Sequence, residues 1–130
     1  MPEGGYYAKT PRPESIEAVR KALHRHSAVH EYREVTPQVY EISRTGKSTV
    51  TLHVTNVYTV GLADVQEIAD ENPSITCILT VSSWNSYTKQ AKEYAKSVGI
   101  GLFRFHEWMG ALNYDGDEFL DYIAPSDREK

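Results

Sequence analysis

A single cysteine, Cys77, is all the chain has for thiol chemistry, which excludes a disulfide framework and any CxxC metal pair. It lies in the apolar run Ile75 to Val81, where a thiol acts as a small buried hydrophobe. No apolar stretch is long enough to cross a bilayer and no basic-then-apolar leader occurs, so no membrane partner is expected and the expected location is cytoplasmic. Metal and nucleotide signatures are missing as well. The five histidines, His24, His26, His30, His53 and His106, are too scattered to constitute a metal signature. Asp115-Gly116-Asp117-Glu118 lacks the closing Glu of a calcium loop and is read as a solvated turn. Arg44-Thr45-Gly46-Lys47-Ser48 has the end of a phosphate-binding loop without its first glycine, and strands flank it on both sides. No GxSxG elbow occurs, which disfavours a serine hydrolase.

What is present fits one domain: 130 residues with a net charge of -4, distributed unevenly. Basic residues collect between Lys9 and Arg33, and acids dominate after Asp115. That balance argues against gross capture of nucleic acid, while leaving a local basic face on the first helix.

Residues 1-13 hold three prolines and no apolar period, and are expected to form a flexible N-terminal arm; 14-124 form the domain and 125-130 a C-terminal tail. A helix is predicted from Glu14 to near His26, with Ile16, Val19, Ala22 and Leu23 on one face. Tyr32 to Ser43, containing Pro37, reads as an edge strand or one broken at the proline. It pairs as an antiparallel hairpin with Thr49 to Tyr58, which carries Val50, Leu52 and Val54 on one face.

After Gly61 the apolar period changes from two to about 3.6. A helix ending at Asn72-Pro73-Ser74 is followed by a doubly buried strand, Ile75 to Val81, and by a helix from Tyr87 that stops at Gly99. A strand, Ile100 to Phe105, and a helix, His106 to Leu112, complete the pattern. The expected fold class is α/β, a mixed central sheet flanked by helices on both faces. Chemistry is then expected at the carboxyl ends of the parallel strands, in Ser82 to Ser86 and around His106 and Glu107.

The connector Ser82, Ser83, Trp84, Asn85, Ser86, with Thr88 beyond it, is a candidate ligand-binding loop, because hydroxyls and free amides at a helix N-terminus suit an anion. The competing reading is that Asn85 or Ser86 caps the helix while Trp84 and Tyr87 pack over the sheet edge. Lys47 is a further candidate for ligand contact. Paired aromatics such as Tyr58, Trp84 and Trp108 suit a self-association surface, with core packing as the alternative.

Four strings together resemble the Mrr-like branch of the restriction-endonuclease superfamily, whose sites are of the PD-(D/E)xK type. They are Gly61-Leu62-Ala63-Asp64-Val65-Gln66-Glu67-Ile68, Leu79-Thr80-Val81-Ser82-Ser83-Trp84, the helix from Tyr87-Thr88 through Ala91-Lys92-Glu93-Tyr94-Ala95-Lys96 to Gly99-Ile100, and Gly101-Leu102-Phe103-Arg104-Phe105-His106-Glu107. The resemblance implies a restriction-endonuclease-like fold and, for an active member, a Mg2+-dependent endodeoxyribonuclease that acts as a homodimer.

The same resemblance places the degenerate motif. His53 falls where the family has Gln or Glu, Thr55 where it has the essential Lys, and Tyr40, with Glu41 beside it, where it has the metal-binding Asp. Thr55 supplies no positive charge and a neutral imidazole is a poor Mg2+ ligand, which leaves Glu41 as the one weak metal candidate. The leading expectation is a catalytically inactive nuclease-like domain, without a cofactor, that binds DNA or a protein partner, itself included. Two alternatives stand beside it: an endonuclease whose site has migrated to Glu34, Glu41, Lys47, His53 and Asp64, using Mg2+, and a small-ligand sensor built on the Ser82 to Thr88 loop.

Overall fold

The computed structural model describes residues 11-82 and 84-123. Helix α1 spans Pro13–Arg25, with proline in its first turn, where a missing N–H costs nothing. Three strands follow, β1 (Val29–Thr36), β2 (Val39–Arg44) and β3 (Lys47–Thr55), and all pair antiparallel. The expected hairpin is therefore a three-stranded meander. The chain turns at Pro37 and Gln38, because a proline cannot continue the hydrogen-bond ladder, and it turns again at Gly46, whose φ of 71° suits glycine.

Beyond β3 lie β4 (Thr59–Val60), α2 (Leu62–Glu71), β5 (Cys77–Thr80), β6 (Ser86–Tyr87), α3 (Lys89–Ser97), β7 (Gly101–Arg104), α4 (Phe105–Ala111) and α5 (Gly116–Leu120). The main sheet has the order β1-β2-β3-β5-β7, with β3, β5 and β7 parallel, and β4 and β6 form a separate parallel pair. The mixed α/β sheet expected from the strand-helix alternation is present.

Period-two alternation divides the core in two. Leu52, Val54, Cys77, Leu79 and Phe103 face one side and pack with Val19 and Leu23 of α1, Trp108 of α4 and Phe119 of α5. Ile78 and Leu102 face the other side and pack with Val65 and Ile68 of α2 and Ala91 and Ala95 of α3. All four residues of β5 are buried, as a strand covered by helices on both faces must be. Each fully buried Leu or Ile contributes about 2 kcal/mol of transfer free energy.

The expected arm lies mostly outside the described residues, but Pro13 at its end already belongs to α1. The expected tail, 125-130, lies wholly outside them. The Asp115 turn is not merely solvated. Asp115 caps α5, accepts from the Ser48 amide at 3.0 Å and from the Ser48 hydroxyl, and faces the Arg44 guanidinium at 3.2 Å. Arg44 is buried and also donates to the carbonyls of Leu112 and Tyr114 at 3.1 and 2.6 Å, so one cation joins the β2 end to the last helices.

Candidate functional site

Pairing register decides which side chains of β2 and β3 meet. Tyr40 is opposite Leu52 and Val39 is opposite His53. Tyr40 therefore lies in the α1-side core, fully buried, on the face away from His53. The residue facing the imidazole across the ladder is apolar Val39. Glu41 does share the His53 face, one pair further along opposite Thr51, and there it holds Arg33 at 2.6 Å.

His53 and Thr55 line a cavity of about 190 Å³ roofed by α2, together with Gln38, Asp64, Glu67 and Glu71. Among the described residues, neither Lys nor Arg lines it. Burial pushes the His53 imidazole down to about 4, so it is neutral at physiological pH. Asp64 faces inward at the helix start, where its carboxylate accepts the Gly61 amide at 2.9 Å. With three acids, a neutral imidazole and no cation, the cavity repels phosphate, and its volume falls below the several hundred Å³ typical of small-molecule sites.

Of the five residues of the migrated-site alternative, His53 and Asp64 line this cavity, and Glu34, Glu41 and Lys47 do not. Glu34 holds Arg20 of α1 at 2.7 Å and Glu41 holds Arg33, while Asp64 caps α2. Lys47 begins β3, six residues from His53, which is about 20 Å along an extended strand and beyond the reach of a lysine side chain. Among the described residues no three His, Cys, Asp or Glu side chains are grouped to hold a metal ion.

The connector after β5 is organised by a chain of hydrogen bonds. Asn85 is buried and donates through Nδ2 to Asn56 Oδ1 at 2.9 Å and to Thr80 Oγ1 at 3.0 Å. Ser82 donates to the same Asn56 oxygen, and Thr80 donates to the Val57 carbonyl at 2.8 Å. Thr88, rather than Asn85 or Ser86, caps α3, its hydroxyl accepting the Ala91 amide at 3.0 Å. Ser86 and Tyr87 form β6 and do not start the helix. Ser83 lies outside the described residues.

The polar atoms of this loop thus bind one another, and the surface they shape is aromatic. Trp84 is 60% exposed and Tyr58 is 63% exposed. Their loops are joined where the Ser86 amide donates to the Tyr58 carbonyl at 2.8 Å. Trp108, by contrast, is fully buried in the core, so the packing reading holds for it and an interface role does not.

A larger cavity, about 640 Å³, opens beside α3 and the carboxyl end of β7. Its buried acid is Glu107, which accepts the Tyr87 hydroxyl at 2.8 and 2.9 Å and the Arg104 amide at 3.0 Å. Lys92 is also buried. Its ammonium donates to the Leu102 carbonyl at 2.7 Å and lies 4.2 Å from the Phe103 ring centre, and burial brings it down to about 8. The region around Glu107 was visible in the sequence as a strand's carboxyl end. Lys92 belongs to no site motif in the sequence, and its place between Ala91 and Ala95 on the apolar stripe of α3 is the signal that marks it.

No family model, curated protein or solved structure matches the chain.

Proposed function

We propose that the chain is a restriction-endonuclease-like domain of the Mrr-like type that has lost its metal site and acts by binding a partner. The observation that carries this reading is the pair His53 and Thr55, which line a single acid-walled cavity without a cation. In the family that pair of positions would supply a metal ligand and the lysine that stabilises the phosphate. A neutral imidazole and a hydroxyl supply neither. Element order supports the fold assignment, since the strand of His53 is followed by a helix, a strand, a helix and a strand, the order in which the resemblance has them.

The acids also bear on the class of partner. Asp64, Glu67, Asp70 and Glu71 all lie on α2, beside the strand over which a nuclease would hold its scissile phosphate. A polyanion is repelled there, whereas the exposed Tyr58 and Trp84 on the neighbouring loops suit a protein surface. A protein partner is therefore favoured over DNA.

The test is incubation of the pure chain with labelled double- and single-stranded DNA in Mg2+ or Mn2+, with binding recorded in EDTA and a Glu41→Ala, His53→Ala double variant alongside. No cleavage and no DNA retention is the expected result. Metal-dependent cleavage lost in the double variant would overturn it.

One observation favours a second reading, a small-ligand sensor. The 640 Å³ cavity bordered by Ser86, Tyr87, Arg104 and Glu107 lies at the carboxyl end of β7 and has the size of a metabolite site. Thermal-shift screening against small anions and amines, with Glu107→Gln as the control, separates this reading from the first.

A further inference from the structure

Strand β1 is the outer strand of the five-stranded sheet; it pairs with β2 and with no other described strand. Six of its eight residues are exposed, and only Val29 and Tyr32 are partly covered. An edge of this length is a template for another strand unless its side chains forbid pairing. Its own pairing with β2 is irregular between Val29 and Glu31 and between Glu34 and Thr36, so the regular stretch is Glu31 to Glu34.

We propose that β1 pairs antiparallel with β1 of a second copy of this chain, about a two-fold axis through Tyr32. In that register Glu31 stands opposite Arg33 of the second copy, and Arg33 opposite its Glu31, on the same sheet face. Opposite charges directly across a ladder stabilise it, and like charges oppose it. The neighbouring registers fail this criterion. An axis through Glu31 sets that acid against itself, and an axis through Arg33 sets two guanidinium groups against each other; an axis between two residues is excluded, because it would oppose side chains of different faces.

Arg33 is available for this contact, since its ion pair with Glu41 lies at the surface, with side chains 68% and 44% exposed. Natural edges are commonly blunted by lysines or by charges of one sign. This edge instead alternates acid and base symmetrically about an uncharged residue, which makes it self-complementary, as an isologous interface must be.

An axis perpendicular to the sheet joins the two five-stranded sheets edge to edge. Both His53 cavities then open on the same face, with the two β3 strands separated by five strand spacings, about 24 Å.

Sedimentation of the full chain over a wide concentration range tests the proposal. Wild type is expected to move from 14.7 kDa toward twice that mass. Glu31→Arg is expected to weaken self-association at least about tenfold. So is Arg33→Glu, which carries Glu41→Gln as well so that no new acid pair forms between β1 and β2. Both chains should keep the cooperative unfolding of wild type. Mixed in equal amounts, the two monomeric variants should regain the dimer, because each supplies the charge the other lacks. A wild type that stays monomeric overturns the proposal, as do variants that dimerise like wild type or a mixture that remains monomeric. Either of the last two results would assign any dimer to another surface.

Discussion

His53 and Thr55 stand on the same face of β3 and line one cavity, and the imidazole is the titratable group of that pair. Burial lowers it from 6.5 to about 4. Between those values the unfolded chain holds a proton that the folded chain does not, so folding stability must fall as pH drops from 6.5 toward 4. At 1.36 kcal/mol per pH unit the loss is about 3 kcal/mol at its fullest. Urea unfolding at pH 7 and pH 4 should show this loss in wild type, and His53→Gln should lack that part of it. Equal pH dependence in both proteins would mean the histidine is charged and hydrated.

Asn85 fixes the loop that presents Trp84. Its Nδ2 bridges Asn56 and Thr80, two acceptors at the ends of neighbouring parallel strands. Asn85→Ala removes both bonds and leaves a buried acceptor short of a donor, a cost of about 2 kcal/mol. Stability should fall by that amount, and hydrogen exchange should quicken from Asn56 to Tyr58 and from Ser82 to Ser86 more than elsewhere. Uniform exchange across the chain would show that the network supports the whole sheet and not this loop.

The sequence made the alternation of strands and helices legible because long elements carry a period. Val50, Leu52 and Val54 marked one strand face, and Val65 and Ile68 marked a helix stripe, as the two buried clusters show. Two-residue strands carry no period, so the sequence does not reveal β4 and β6, and Tyr87, which reads as part of the helix, only precedes it. Asn85 has the composition of a helix cap, and nothing local distinguishes capping from a network that closes across 29 residues to Asn56. At the former metal position the difficulty was register. Buried Tyr40 and half-buried Glu41 are neighbours in the chain, and only the ladder shows that Val39 faces His53.

Asp115 illustrates a contact that spacing along the chain cannot reveal. It binds Ser48 and Arg44 from 67 and 71 residues away. Those hydrogen bonds, those from Ser48 first, hold its carboxyl down to about 2 from 3.8. A carboxylate lowered in this way stabilises the fold above pH 3.8, and that contribution is lost as pH falls to 2. The side chain is 42% exposed, so solvent screens much of the effect. Asp115→Ala should still cost about 2 kcal/mol at neutral pH, because buried Arg44 loses its countercharge. Thermal unfolding would detect it, and Asp115→Asn should recover part of the loss by keeping an acceptor for Ser48.

Gly101 tests the packing of the core that holds Phe103 and Phe119. It begins β7, opposite Cys77, and a Cβ placed there would lie 2.6 Å from the Phe103 ring and 2.7 Å from the Phe119 ring. These two rings meet edge to face, with centres 5.2 Å apart, and Phe103 also flanks the Lys92 ammonium. Neither ring can withdraw cheaply from a close-packed interior, so Gly101→Ala should destabilise the fold by about 2 kcal/mol or more through overpacking. Since the strain falls on Phe103 and Phe119 and not on His53, the pH dependence assigned to His53 should survive unchanged in this variant. Loss of both together would show that the two faces of the sheet do not respond independently, and would remove the basis for reading the His53 cavity as a separate site.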